Sequence, residues 1–330
     1  MPSRKSAGRS RKAAVQATSA DRKALTQVAP LSQAQVKETL RDRRETQRAR
    51  AKILPKMVTK SSPSASPLSS RLSTLVGDRG LATLIAEGDS WFDYFGYDVL
   101  NKLERLGYDV ESVARAGDTV EAMAYNDGQL KRLCSVIDKQ IRTGRIPKAI
   151  LLSGGGNDVA GREFAQLLNH AMSPAPGPNE DIVRGVIDVR ARDAYLTILT
   201  SVKDLTTQMV GKPIPVLVHG YGRPRPDGRG VIGGWGPLPG PWLRPGFNVK
   251  GYSDEQANTA VIGALIDRFN AMLQRITSLS AFGHVHYVDV RGVLINGTGY
   301  KKDWGNELHP TTAGFERVAA EFAKVLHTLP

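Results

Sequence analysis

Residues 82–92 read ATLIAEGDSWF, a short apolar run that leads directly into a Gly-Asp-Ser turn. Residues 82–87 have the length and composition of a buried strand, and a helical pattern begins soon after the turn. Ser90 would therefore lie exposed at the end of a strand. This turn alone is a weak signal, because a serine that follows a strand more often caps a helix than attacks a substrate.

Four further apolar runs resemble the first, and longer stretches of helical pattern separate them. The strand candidates are residues 82–87, 108–114, 148–153, 214–219 and 284–290. The helical stretches lie near residues 95–105, 119–142, 160–171, 180–210, 253–279 and 311–327. Strands that alternate with helices in this way indicate an α/β fold, with a five-stranded parallel sheet between two layers of helices. In such a sheet the functional site is expected at the carboxyl ends of the strands.

The positive charge of the chain is concentrated before residue 60. The whole sequence has 45 Lys and Arg against 32 Asp and Glu, a formal net charge of +13. Residues 1–60 contain 16 basic and 4 acidic residues and so account for +12 of that charge. The nearly neutral remainder argues against nucleic acid as the main partner of the folded body, because phosphate binding needs a clustered basic face.

Residues 1–70 are therefore predicted to form a basic extension and linker, and residues 71–330 a single globular domain. Within the extension, residues 1–20 lack acidic side chains and are predicted to be disordered. Residues 32–53 predict a charged helix, with a solvated helix or tail as the favoured interpretation and weak docking as the alternative. Residues 61–70, rich in Ser and Pro, predict a flexible linker.

The cysteine count and the hydropathy pattern exclude several classes of protein. A single cysteine, Cys134, cannot form an intrachain disulfide or a multi-cysteine zinc site. No run of 18 apolar residues is present, so no transmembrane segment is predicted, and the N-terminal residues lack the apolar centre of a secretory signal. A cytoplasmic location is the resulting expectation, with a transit peptide or another route of export left open.

Two further turns that contain glycine follow strand candidates and carry residues suited to chemistry. Residues 153–158 read SGGGND; glycine lets the backbone approach a ligand closely, and the amide of Asn157 can donate to an oxyanion. A phosphate-binding loop is the rival interpretation, but neither Gly-Lys-Ser/Thr nor Gly-x-Gly-x-x-Gly is matched. Residues 116–119 read AGDT and place the backbone N–H of Gly117 as a further donor, although a capped helix start explains that turn on its own.

Residues 306–311 read NELHPT and precede the last helical stretch, whose start Pro310 suits. A serine hydroxyl is a poor nucleophile unless a base lies beside it, and donors must bind the oxyanion that forms on the attacked carbonyl. His309 lies in a loop at a helix N-terminus and could reach a serine at another strand end. Taken alone, this histidine would be interpreted as a surface residue.

The order of the four turns resembles that of the SGNH (GDSL-type) hydrolase family, with Gly-Asp-Ser first, then Gly, then Gly-Gly-Asn-Asp and finally Leu-His-Pro. The resemblance covers roughly residues 80–328. It implies a three-layer α/β/α, flavodoxin-like fold. It also implies an esterase or lipase that cleaves a carboxylic ester, from a small molecule or a lipid, through an acyl-enzyme and without a cofactor or metal.

By that resemblance Ser90 is the nucleophile and His309 the general base. The oxyanion hole would consist of the backbone N–H groups of Ser90 and Gly117 and the side chain of Asn157. One residue departs from the family pattern, because members usually have an aspartate at the position of Asn306. An amide cannot supply the charge that stabilises an imidazolium, so we expect a Ser-His dyad held by a backbone carbonyl, or a substitute carboxylate. The candidates for that carboxylate are Glu307, Asp303 and Asp289.

Two other features of the sequence bear on the site. Residues 220–250 are rich in Gly and Pro and include Trp235 and Trp242. Such a long irregular stretch is usually a functional loop or disordered, and a loop that flanks the site is the favoured interpretation. His284 and His286 alternate on a strand and could bind a metal, but no third ligand is apparent and a packed strand pair is favoured.

A second class of function stays open. The chain could be a catalytically weak binding protein of the same fold, whose basic N-terminus engages nucleic acid, an acidic partner or an anionic membrane. Asn306 and the charge of residues 1–60 favour this alternative. A third possibility joins the two, since the basic segment could bring a lipase-like domain to an anionic surface.

Overall fold

Five parallel strands form the central sheet of the computed structural model, which describes residues 16–58, 81–126, 128–161, 163–231 and 239–330, with only the backbone for 49–58. All five predicted strands are confirmed, each within two residues of its predicted bounds. The sheet order is β2-β1-β3-β4-β5. The strands are β1 (Thr83–Glu87), β2 (Asp109–Ser112), β3 (Ala149–Leu152), β4 (Val216–His219) and β5 (Val285–Val288).

Helices cover both faces of this sheet, as the sequence predicts. The chain steps from β1 outward to β2, then returns past β1 to β3 and continues in the opposite direction. Because parallel crossovers are right-handed, that reversal puts the first crossover helix on one face and the later ones on the other. The helices are α1 (Ser19–Val58), α2 (Val99–Arg105), α3 (Val120–Tyr125), α4 (Gln129–Arg142), α5 (Gly156–Ala160), α6 (Glu180–Val183), α7 (Arg192–Val210), α8 (Arg244–Val249), α9 (Glu255–Thr277) and α10 (Thr312–Thr328).

Packing contacts agree with these two layers. Helix α2 packs against α10, and these two helices contact β2 and β5 respectively. On the other face α3, α4 and α9 pack against α7, while α4 contacts β1 and α9 contacts β4 and β5. Strands β3 and β4 are buried along their whole length, as expected for the centre of a parallel sheet covered on both faces. The carboxyl ends of β2, β1 and β3 are therefore adjacent at one edge.

The N-terminal helix α1 docks on the second helical layer instead of standing in solvent. It begins at Ser19, earlier than the predicted residue 32, and packs mainly against α7. Ala24, Val28 and Val36 are buried because their spacing of four and eight residues places them on one face of the helix. Residues 44–48 are exposed. The segment 1–20 is predicted to be disordered, but its last residues are ordered, since Thr18 bonds Asp21 and α1 begins at Ser19. The rest of that segment (1–15), the linker 61–70 and the boundary at residue 71 lie outside the described residues.

Two helical predictions need correction. The stretch 160–171 is not a helix: α5 ends at Ala160, a 3₁₀ turn follows at Phe164–Leu167, and Leu168–Asn169 pairs antiparallel with Gly177–Pro178. The side chain of Asn169 holds this ribbon by donating to the carbonyl of Ala175. The stretch 119–142 is two helices, since Gly128 adopts a left-handed φ of 65° between them. Within the described ranges, no helix has the length and apolar character needed to cross a bilayer.

Candidate active site

Asp89, the residue before Ser90, connects the turn after β1 to the ends of the neighbouring strands through hydrogen bonds. The buried carboxylate of Asp89 accepts hydrogen bonds from the backbone N–H of Trp91 at 3.0 Å, from Ser153 Oγ at 2.9 Å and from the hydroxyl of Tyr221. Burial raises the pKa of Asp89. Because Ser153 follows β3 and Tyr221 follows β4, the position of Ser90 is fixed by three strands of the sheet.

Ser90 and His309 lie together, although 219 residues separate them in the sequence. The distance from Ser90 Oγ to His309 Nε2 is 2.7 Å, within hydrogen-bonding range. The histidine precedes α10, whose N-terminus Thr311 caps by accepting from the backbone N–H of Gly314. The indole N–H of Trp91 also donates to the carbonyl of Leu308 at 3.1 Å, which joins the serine turn to the histidine loop.

Asn306 holds the other side of the imidazole. Its Oδ1 lies 3.0 Å from His309 Nδ1 and also accepts the backbone N–H groups of Leu308 and His309, at 3.0 and 2.9 Å. Its Nδ2 donates to the hydroxyl of Tyr94 at 3.0 Å. Two backbone donors require an oxygen at this position, so Nδ1 must carry the imidazole proton and Nε2 is left to accept from Ser90.

That contact corrects one expectation drawn from the sequence. The group that holds the imidazole is the side-chain amide oxygen of Asn306, not a backbone carbonyl. Its physical origin is the short turn 306–309, in which the amide oxygen of Asn306 accepts from the backbone N–H groups of Leu308 and His309, and the same oxygen also contacts the ring. Such a local side-chain to backbone turn is a common use of asparagine.

The three carboxylates proposed as substitutes are engaged elsewhere. Glu307 accepts four backbone N–H groups of the loop that follows β4, at 2.6 to 3.1 Å. Asp303 accepts from the backbone N–H of Ile295 and from Arg317, at 2.8 and 2.9 Å. Asp289 pairs with Arg291. None of these contacts involves His309, so the structure brings no carboxylate to the imidazole among the described residues.

Glu307 organises the loop on the far side of His309. Its four donors are the backbone N–H groups of Gly228, Trp242, Leu243 and Arg244. The contact with Trp242 brings the indole ring to 5.3 Å from the imidazole ring, measured between centroids, at 67°. The predicted site-flanking loop therefore does reach the site through Trp242, while Trp235 lies outside the described residues.

We expect Glu307→Gln to lower the free energy of unfolding by about 2–4 kcal/mol. The glutamine side chain keeps only one acceptor oxygen, and its NH₂ group would face backbone N–H groups of the loop that then have no acceptor. Urea denaturation followed by tryptophan fluorescence measures the change. Glu321→Gln is the matched control, since Glu321 pairs on the surface with Lys324 and should cost less than about 0.5 kcal/mol. Equal effects for the two variants would contradict the role given to Glu307.

Of the predicted oxyanion donors, Asn157 lines the same cavity as Ser90, and Gly117 precedes Asp118, whose carbonyl accepts from Asn157. Among the described residues, the backbone N–H groups of Ser90 and Gly117 donate to no oxygen, which leaves them available. Asn157 Nδ2 donates one hydrogen to the carbonyl of Asp118 at 2.9 Å and retains a second. Gly117 has a left-handed φ of 89°, a conformation that side chains rarely adopt.

The glycines before Asn157 allow a close approach that any other residue would prevent. Gly155 has a φ of 98°, and a Cβ there would lie 2.2 Å from the ring of Phe269. This tight packing sets where α5 begins and hence where Asn157 stands. Ser90, Asn157 and a mostly apolar surface line one cavity of about 30 Å³. The apolar side chains of this cavity are Trp91, Ala160, Tyr221, Pro224, Ile266, Trp304 and Leu308.

The imidazole of His309 is almost completely enclosed. The side chain is 5% exposed, and the ring of Tyr94 stacks on it at 4.3 Å between centroids and 19° between planes. Burial lowers the pKa of His309 to about 3. The histidine is therefore neutral at neutral pH, as a general base must be before it takes a proton.

Sequence reasoning missed Tyr94 and Tyr221. Tyr94 follows Ser90 by four residues, so its proximity to the serine could have been inferred, but its stacking on a histidine 215 residues later could not. His286 lies on β5 and His284 in the turn directly before that strand, away from this site, and burial lowers the pKa of each. No three His, Cys, Asp or Glu side chains gather as a metal site in the part of the chain that the structure describes.

Comparisons with known proteins give structural matches only. No family model matches the chain, and no curated protein matches it in sequence. A catalytic mutant of an acetylxylan esterase from Geobacillus stearothermophilus matches with a TM-score of 0.39 and 12% identity, over 75% of this chain and 94% of its own. A candidate SGNH hydrolase from Slackia heliotrinireducens matches with a TM-score of 0.40 and 13% identity, over 74% and 97%.

A candidate GDSL-like lipase from Parabacteroides merdae also matches, with a TM-score of 0.40 and 11% identity, over 76% of this chain and 98% of its own. The chain is similar to SGNH-type hydrolases and esterases. At identities of 11 to 13% this likeness concerns the fold, and no residue role or substrate is carried over from these proteins.

Proposed function

We propose that this protein is a serine hydrolase that cleaves a carboxylic ester through an acyl-enzyme on Ser90. The observation that carries the proposal is the hydrogen-bonded chain from Ser90 Oγ through His309 to Asn306 Oδ1, with distances of 2.7 and 3.0 Å. A nucleophile, a base and a group that orients the base are the three parts that nucleophilic catalysis by serine needs. Because Asn306 fixes the tautomer, Nε2 can receive the serine proton.

The reaction proceeds in two steps. Ser90 Oγ attacks the ester carbonyl carbon while its proton moves to His309 Nε2, and the carbonyl oxygen becomes an oxyanion. The C–O bond to the alcohol then breaks, the leaving oxygen takes the proton from Nε2, and the acyl group stays on Ser90. A water molecule attacks the acyl-enzyme with its proton passing to Nε2, and Ser90 recovers that proton as the acid departs.

The oxyanion would be stabilised by the backbone N–H groups of Ser90 and Gly117 and by the amide of Asn157. Support for this role comes from the unpaired N–H groups and from the place of Asn157 beside Ser90 in the cavity wall. Loss of one such donor typically lowers the rate by about 10²- to 10³-fold. These three residues follow the neighbouring strands β1, β2 and β3, which is consistent with this role.

The cavity beside Ser90 predicts a short acyl group. Its volume of about 30 Å³ holds one or two groups the size of a water molecule, and its wall is mostly apolar. We expect kcat/KM for nitrophenyl acetate to exceed that for the octanoate by about 100-fold or more, because the longer acyl chain exceeds the volume of this small cavity.

Ile266, which is buried in α9, forms part of this wall. Ile266→Ala should raise kcat/KM for the butyrate about tenfold relative to the acetate. Ile262→Ala is the matched control, because Ile262 is buried one turn away on α9 but does not line the cavity. Both variants lose similar packing, so a shift in chain-length preference in both or in neither would contradict this assignment.

The decisive test of the proposed function compares the wild type with Ser90→Ala in ester hydrolysis and in labelling by a fluorophosphonate, which reacts with activated serines. Labelling should be lost in the variant, and hydrolysis should fall to a small residual rate. Because Ser90 is half-buried and its turn is held through Asp89, the substitution should leave the fold intact.

A further inference from the structure

The charge that His309 takes up during the reaction has no carboxylate beside it. Among the described residues, burial is the one cause that shifts the pKa of His309, and no charged side chain contributes. Asn306 offers an amide oxygen, which is a dipole and not a full negative charge. The imidazolium must therefore be stabilised by dipoles and by whatever lies against the two faces of the ring.

One of those faces is covered by the ring of Tyr94. The two ring centroids are 4.3 Å apart and the planes are 19° from parallel, so the imidazole lies over the π face of the tyrosine. An aromatic face is electronegative and attracts a cation within about 6 Å of its centroid. The attraction is weak for a neutral imidazole and stronger for the imidazolium. It therefore favours the transition state over the ground state, as a catalytic contribution must.

Several contacts hold the Tyr94 ring in this orientation. Its hydroxyl accepts a hydrogen bond from Asn306 Nδ2 at 3.0 Å, and its backbone N–H donates to Asp98 at 3.4 Å. Its ring packs against those of Tyr97 and Phe315, with centroids 5.5 and 6.0 Å away. The hydroxyl contact also acts on Asn306, because it occupies Nδ2 and so keeps Oδ1 turned towards His309.

We propose that Tyr94 is a positioning residue whose ring face stabilises the imidazolium of His309 in place of the missing carboxylate, and whose hydroxyl keeps the Asn306 amide in the required orientation. This inference rests on the proposed function, because it explains how the amide of Asn306 can orient His309 where a carboxylate is usual. Removing the electron density of the ring should then lower the proton affinity of His309 without any change in packing.

The test replaces Tyr94 with phenylalanine and then with mono-, di- and trifluorophenylalanine, a series with nearly constant shape and a progressively weaker π face. The series is made in the Asn306→Asp background, where the carboxylate brings the pKa of His309 into a range that NMR can follow. We expect this pKa to fall stepwise along the series, by at least about 0.4 pH unit in total. Phe95, which is 68% exposed, receives the same fluorinated residues as a control and should leave the pKa unchanged.

A stepwise fall at position 94 supports the proposal, and a constant pKa along the series overturns it. NMR titration needs no turnover, so this result is independent of the proposed function. A protein whose His309 pKa falls along the series but that hydrolyses no ester would contradict the proposed hydrolase activity and still support the effect of the Tyr94 ring. In the Asn306 protein, the same series should lower kcat by about 3- to 10-fold with KM unchanged. A rise in KM with kcat unchanged would show that Tyr94 acts on substrate binding and would overturn the proposal.

Discussion

Ser90→Ala should lower kcat/KM for nitrophenyl acetate by about 10⁴- to 10⁶-fold and abolish fluorophosphonate labelling. The reason is that Ser90 supplies the only atom that bonds to the acyl group in the proposed mechanism, so no other residue can form the intermediate. Residual hydrolysis, at the level that an oxyanion hole and substrate binding give without a nucleophile, is expected to remain. Steady-state kinetics together with gel fluorescence of the labelled protein measure both effects.

The control for this variant is Ser112→Ala. Ser112 is exposed at the end of β2, where its hydroxyl accepts only the backbone N–H of Ala114, so the substitution should leave hydrolysis within about twofold of the wild type. Labelling that persists in Ser90→Ala would place the nucleophile elsewhere. No labelling of the folded wild type would instead favour the binding protein with a basic N-terminus, which salt-sensitive binding to a polyanion would then reveal.

Asn306→Asp is expected to raise kcat by about 10- to 100-fold. The loss of the aspartate from other serine triads costs about 10⁴-fold, mainly because the imidazole then adopts the wrong tautomer. Here the tautomer is already correct, so the substitution adds only the charge that stabilises the imidazolium, comparable to one charged hydrogen bond. The buried carboxylate would be well supplied with donors, since Nδ1, two backbone N–H groups and the hydroxyl of Tyr94 all face it.

The same variant should change the pH profile in a defined direction. In the wild type, the pKa of about 3 keeps His309 deprotonated and active until the pH falls to that value. A carboxylate favours the protonated imidazole and raises its pKa, so activity should begin to fall about 1–3 pH units higher. The measurement is kcat/KM from pH 3 to 9. Asn306→Ala is the control, because it loses the contact that fixes the tautomer of His309 and should lower kcat. If activity in Asn306→Asp fell at the same low pH as in the wild type, the contact between residue 306 and His309 would be contradicted.

The strands of the sheet can be predicted from the sequence because neighbouring residues along the chain determine each of them. Four of the strands are short and mostly apolar, while β2 reads Asp-Val-Glu-Ser. The central strands β3 and β4 are buried along their whole length, and their one polar residue is His219 at the end of β4. The order of the motifs then follows from topology, since parallel strands present their carboxyl ends at one edge. Helix 160–171 was the wrong prediction because its periodicity is overridden by the antiparallel pairing of Leu168–Asn169 with Gly177–Pro178.

The fine structure of the site depends on contacts that local patterns do not carry. Glu307 is two residues before His309 in sequence and was a reasonable candidate for a third triad member, yet its carboxylate binds a loop more than 60 residues earlier. Asn306 predicted a Ser-His dyad or a substitute carboxylate, because the sequence shows only the missing charge. The hydrogen bonds that orient its amide become visible only when the turn and Tyr94 are placed in space.

The four hydrogen bonds to Glu307 affect which substitutions this chain can accept during evolution. All four groups that it holds are main-chain N–H groups, which every residue except proline possesses. Substitutions at Trp242, Leu243 and Arg244 can therefore keep these hydrogen bonds, whereas Gly228, with a φ of 84°, does not readily accept a side chain. A lineage built on this arrangement can change the side chains of this loop by point mutations and keep the loop in place beside His309.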